Sequence, residues 1–270
     1  MLYYLMALNS SKFLLKKHSE FITTNHSKLF AMTNSFAIIN YYNPFKRYRT
    51  DYGINQFFMD YKLEDFLKEL NKSKLSLIDA YSLAFSFIVY QSTTKHLLGY
   101  IASLDERKRH KKFDYLYSPH LRYFEKFLCN YELKLNLDDT PCADYFVKMD
   151  LDSDVKDFLN DFYFRKIHTP KISLIFKKAF EDFQKIDRMS VDLLNLSLYR
   201  IKYFYVFKPF RFLYKKYPLK INDPLNNQHK TYYNPFLKER LELSFDEIID
   251  TIHKEILTKI EIIYNFFKAH

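Results

Sequence analysis

The sequence predicts a mainly α protein, an irregular helical bundle in two lobes with a small β-hairpin near residues 200–217. Three observations predict it. Apolar residues recur at helical spacing in run after run, capping patterns open several of the runs, and prolines separate them. The first clear run holds Leu63, Phe66, Leu67 and Leu70, spaced as one face of a helix. Ser76 is placed to cap the next, Leu77 to Gln91, which is apolar nearly all round apart from a stripe of Asp79, Ser82 and Ser86. A helix of that kind belongs in the centre of a core.

Pro119 opens a third run, with Leu121, Phe124, Leu128 and Leu135 near one face. Lys156 to Ile167 and Lys171 to Ile186 follow, divided by Thr169-Pro170, since proline and the residue before it both leave the α region. Ser153 and its flanking Asp152 and Asp154 cap and charge the start of the first of these. The last run is the clearest. Ser244 and Glu247 make a capping-box pattern, followed by an apolar stripe that includes Ile248, Ile249, Ile252, Ile256, Ile260 and Ile263. Such a stripe packs on its own core or on a neighbour, and Ile249, Ile252, Ile256, Ile260 and Ile263 are assigned as a partner-facing helix surface.

Arg200 to Tyr217 is rich in Tyr, Phe and Val and is interrupted at Lys208-Pro209, which suits a hairpin or two extended arms, or upstream a helix continuing from Ser190. The acidic, turn-rich residues 136–150 are the expected boundary between an N-terminal lobe, 1–135, and a C-terminal lobe, 150–270, unless the two form one continuous domain. The pentapeptide YYNPF occurs at 41–45 and at 232–236 without alignment of its flanks, so coincidence is preferred to duplication.

Composition limits the chemistry. The chain of 270 residues is 48% hydrophobic and 19% aromatic, enough to bury a substantial core. Phe, Tyr, Lys, Asn and Ile are abundant while Gly, Ala, Pro, Trp and Arg are scarce, the pattern an AT-rich genome imposes. Only two glycines, Gly53 and Gly99, are present, so neither a dinucleotide-binding loop nor a phosphate loop of the common kinds can be built. Cys129 and Cys142 are read as free thiols, Cys129 on a buried helix face, and no His/Cys spacing suits a metal. Asp150, Asp152, Asp154 and Asp161 match four calcium-loop positions, but Val155 stands where the loop needs Gly. No metal and no cofactor is expected. The apolar run from Ala80 to Tyr90 is too short to span a bilayer. The first residues contain no acid before Glu20 and are basic and Ser-rich like a targeting leader, yet they lack Arg and a cleavage cue and are expected to be retained.

The net charge of +10 favours a polyanionic partner. Two clusters carry the candidate contacts: Arg107, Lys108, Arg109, Lys111 and Lys112, and then Arg200, Lys202, Lys208, Arg211, Lys215 and Lys216, the second interleaved with aromatics and free of acids. Lys and Arg neutralise phosphates while Tyr and Phe stack on unpaired bases. The expectation is a non-enzymatic basic subunit of a large assembly in the mitochondrial matrix or otherwise the cytoplasm. Its most concrete form is an RNA-contacting component of a mitochondrial-type ribosome, with rRNA and neighbouring subunits as partners. A protein-only accessory subunit of a respiratory complex is the alternative. A third class is a metal-free ribonuclease of the HEPN type, whose Arg, four to six residues, then His pattern is absent; only the tighter Arg107/His110 and Arg165/His168 pairs occur.

Overall fold

The computed structural model describes residues 2–36, 57–104, 119–134, 151–168, 171–177, 181 and 223–269. These residues form helices with one two-stranded antiparallel sheet. In chain order they are α1 (Leu2–Ser11), α2 (Lys16–Ser19), α3 (His26–Asn34), α4 (Leu63–Asn71), α5 (Leu77–Thr93), a π turn (Thr94–Leu98), α6 (Gly99–Leu104), α7 (Pro119–Leu133), α8 (Ser153–Ile167), β1 (Tyr232–Asn234), β2 (Glu239–Leu241) and α9 (Phe245–Ala269). The hairpin pairs Tyr232 with Leu241 and Asn234 with Glu239. It lies at 232–241, around the second YYNPF; the residues expected to form a hairpin, 200–217, lie outside the described ones.

α5 forms because the Ser76 hydroxyl accepts the Asp79 amide at 3.2 Å and the run behind it is apolar nearly all round. Every residue from Asp79 to Thr93 is buried, so α5 is the central helix. α1, α3, α4 and α9 all pack on it. Helices from both halves of the chain therefore share one support, and a single apolar cluster runs from Leu2 to Ile263. Its centre is aromatic. Phe36, Phe58, Phe66, Phe87 and Phe162 meet in tilted, edge-on and stacked pairs, for example Phe66 on Phe87 at 4.5 Å between centroids.

α4 buries Leu63, Phe66, Leu67 and Leu70, the face its spacing predicts. α7 begins at Pro119 and buries Leu121, Phe124, Leu128 and Cys129, which is a free thiol; Leu135 and Cys142 lie outside the described residues. Of the run expected over 171–186, residues 172–177 are helical and most of the rest lies outside the described chain. α9 opens with the reciprocal capping box: the Ser244 amide donates to Glu247 Oε2 at 2.8 Å and the Glu247 amide donates to Ser244 Oγ at 3.3 Å.

The opening residues, basic and Ser-rich like a leader, form a helix of the core, with Leu2 to Ala7 buried without a break. One expectation changes. Asp152 occupies the N-cap position of α8 but makes no side-chain cap; its carboxylate pairs with the Lys28 ammonium, a full charge that outcompetes a neutral amide. Among the described residues no helix is long and apolar enough to cross a membrane.

Candidate nucleic-acid interface

Both basic clusters, Arg107 to Lys112 and Arg200 to Lys216, lie outside the described residues, and the structure shows instead where the chain leaves and rejoins the helical body beside them. The first stretch leaves from Leu104, the end of α6, and returns at Pro119, the start of α7. The second returns at Asp223. Tyr100, one turn before Leu104, gathers these points. Its hydroxyl donates to the Pro224 carbonyl at 2.8 Å, and its ring meets Phe124 of α7 at 5.9 Å and Tyr232 of β1 at 4.9 Å. Burial, with the Asp223 charge adding to it, pushes the Tyr100 phenol well above its usual range, so it stays a donor.

The rejoining segment is tied down on both sides of Pro224. Asp223 accepts the Asn227 and Gln228 amides at 3.1 and 2.9 Å, and Leu225 accepts the Phe245 amide at 2.8 Å. Asn226, at φ 51°, donates to the Lys230 and Leu243 carbonyls, each at 3.0 Å. Short polar side chains of this kind tolerate the left-handed region and hold loops by bonding nearby backbone.

The π turn explains how α6 meets the hairpin. A π turn carries one residue more per turn than an α-helix and frees a carbonyl from the usual ladder. Here the Gly99 amide donates to Thr94 and His96 carbonyls, and the Lys95 carbonyl accepts Asn234 Nδ2 at 2.9 Å. Asn234 is fully buried, and its Oδ1 accepts the Phe236 and Leu237 amides at 2.9 and 3.1 Å, closing the turn of the hairpin. One side chain thus fixes the β-turn and docks it on the π turn that leads into α6.

Two carboxylates of α9, Glu255 and Glu261, are closed by ion pairs within the chain. His96 Nε2 and Lys259 Nζ reach Glu255 at 2.8 and 2.7 Å, with Lys95 at 3.8 Å. Burial alone would raise the Glu255 carboxyl, but the bonds from His96 and Lys259 and the two lysine charges outweigh it and hold the group down at about 2. One turn and a half further on, Glu261 takes His18 Nε2 at 2.9 Å and Lys17 at 2.8 Å, while His18 Nδ1 meets the Tyr81 hydroxyl at 3.1 Å. Both nitrogens of buried His18 are occupied, so it orients structure and is not presented to a substrate. Arg165 gives Nε to Asp161 and Nη1 to Glu69, each at 2.8 Å, and His168 ends α8 in the left-handed region at φ 56°. That arrangement leaves the Arg165 guanidinium turned to carboxylates; the Arg107/His110 pair lies outside the described residues.

The surface assigned to a partner is largely internal. Ile252, Ile256, Ile260 and Ile263 are buried at 1% exposure or less in the chain's own core, and Ile249 is partly buried against it. The correction is physical: α5 is apolar nearly all round and needs cover on several sides, and α9 supplies part of it. No group of three or more His, Cys, Asp or Glu among the described residues could hold a metal ion. Sequence reasoning missed Tyr100 and Asn234. The signals present were the lone Gly99 beside Tyr100 and the Asn of the second YYNPF, but nothing local links them. Comparison of the chain with protein-family models, with curated proteins and with solved structures finds no match.

Proposed function

We propose that this chain is a non-enzymatic, RNA-contacting subunit of a large assembly, most concretely a mitochondrial-type ribosome built from an AT-rich genome, working in the matrix beside neighbouring protein subunits. The observation that carries the reading is the gathering of chain anchors at Tyr100. Arg107 follows Leu104 by three residues and Lys216 precedes Asp223 by seven, so the near end of each basic stretch is joined by a short length of chain to a residue close to Tyr100. Charge distribution supports it. Of the 42 Lys and Arg and 32 Asp and Glu, 23 and 21 lie in the described residues, a net +2, against 19 and 11, a net +8, in the remainder. The helical body neutralises its own cations in ion pairs such as Lys166–Glu69 and Lys259–Glu255, and the unbalanced charge belongs to the remaining residues, which include both basic stretches. A cationic, aromatic-rich strand of chain neutralises phosphates and stacks on splayed bases.

The test is RNA binding by the full chain across a salt series. The logarithm of affinity is expected to fall linearly with the logarithm of salt, at about −0.7 per phosphate neutralised on single strands. Reversing Arg107, Arg109, Lys215 and Lys216 to Glu should flatten that slope. Absence of RNA binding at low salt, or a slope indifferent to these four changes, rejects the reading.

A further inference from the structure

A surface within the described helices, at the shared end of α1 and α7, gathers lysines and exposed rings. These helices run parallel in matched steps of seven residues, which is two helical turns. The Leu2 amide donates to Glu125 Oε1 at 3.3 Å, and seven residues later on both helices Asn9 Nδ2 donates to Glu132 Oε1 at 2.6 Å. The pairing brings both helix ends side by side. Lys12 then bonds Glu132 Oε2 at 2.6 Å while its ammonium stands 5.6 Å from the Tyr131 ring centroid. Lys134, turned left-handed at φ 57° just past α7, puts its own ammonium 5.5 Å from the same ring.

Lysines at helix C-termini complement the helix dipole, so their presence alone asks for nothing. The rings beside them are different. Tyr131 is 59% exposed and Phe13 is 56% exposed, in a chain that buries most of its described aromatics. Phe13 lies on the His253 ring at 4.5 Å, and His253 Nε2, buried beneath it, has no hydrogen-bond partner; Asn9 Oδ1 is buried and unpartnered as well. Of the two carboxylates that act on His253, Glu132 has no exposed side-chain surface and is paired with Lys12, while Asp250 is exposed. Exposed rings, with ammonium groups held over one of them, offer the aromatic surface and the cation that an unpaired polynucleotide strand takes.

We propose that this end of the α1–α7 pair is a stacking platform for single-stranded RNA, with Tyr131 and Phe13 receiving bases and Lys134 a flanking phosphate. The platform rests on the RNA reading above but occupies different residues. It is tested by fluorescence anisotropy on the full chain with a labelled twelve-nucleotide oligouridylate and with a twelve-base-pair RNA duplex. Tyr131→Ala and Phe13→Ala should each weaken the single strand about fivefold or more and leave the duplex unchanged, whereas Tyr131→Trp should retain binding. Both rings are exposed, and unchanged thermal melting of the variants is the control for folding. If the double alanine variant binds the single strand as wild type does, with salt-sensitive binding intact, the platform is refuted and the tethered basic stretches stand. Failure of the wild-type chain to bind RNA at low salt refutes both. A dimer that depends on Tyr131 in sedimentation, with RNA affinity unchanged, refutes the platform and makes the patch a contact between copies of the chain.

Discussion

Gly99 and Asn234 claim the same space. A Cβ placed on Gly99 would come within 2.5 Å of Asn234 Cγ and closer still to its amide atoms. Asn234 cannot yield, because hydrogen bonds to Lys95, Phe236 and Leu237 hold both ends of its amide. Glycine is required here by a close approach and not by backbone angle, since no glycine among the described residues takes positive φ. In a helix, Gly→Ala ordinarily stabilises by about 1 kcal/mol. Gly99→Ala is expected to do the opposite, costing about 1–3 kcal/mol through overpacking. In an Asn234→Ala background the same change should become stabilising. Urea unfolding of the four-member cycle measures the reversal of sign.

Acid should loosen α9 early. The Glu255 carboxyl is held at about 2 in the folded chain, below its ordinary value of 4.5. The stabilisation is therefore complete above pH 4.5 and is lost as pH falls toward 2. After screening by solvent the effect is about 1–2 kcal/mol. Glu255→Gln should flatten the stability profile in that window, as followed by urea midpoints between pH 5 and pH 2.

Lys28 ties three helices together, pairing with Asp79 of α5 at 2.5 Å and with Asp152 at the start of α8. Lys28→Met leaves Asp79 buried without its partner and is expected to cost about 2–4 kcal/mol. Adding Asp79→Asn removes the stranded charge and should recover part of the loss. Thermal melting of the single and double variants at one pH reads the difference.

The α9 capping box gives a local prediction. Ser244→Ala removes the acceptor for the Glu247 amide and one donor to its carboxylate, at a cost of about 1 kcal/mol. Hydrogen exchange should quicken in the first turn of α9 and hardly change around Ile256 and Ile260.

The elements legible in the sequence are those specified by short-range chemistry. The face of α4, the Ser76 cap of α5, the Pro119 start of α7 and the capping box of α9 each need only four or so neighbouring residues, and each is present as read. α1 was obscured because it is buried on nearly all sides, so its residues carry no amphipathic phase. The Asp152 cap failed for a different reason: a lysine far along the chain competes for the carboxylate. The site was less legible than the fold. Tyr100 and Pro224 are 124 residues apart, and Asn234 and Lys95 are 139 apart, so no local pattern announces that they meet.

From Leu77 to Leu104 the chain is one continuous rod with a single residue inserted part-way along it. An added residue rotates everything beyond it by about 100° around the axis. Upstream of the insertion the rod faces α3, α4 and α9; downstream, Gly99 and Tyr100 are swung round to receive the hairpin and the returning segment. The alignment of the two halves is thus set by how many residues the rod contains. A deletion of one residue between Thr94 and Leu98 would leave a better regular helix and point both halves to the wrong partners, so this stretch should tolerate substitution far more readily than any change in length.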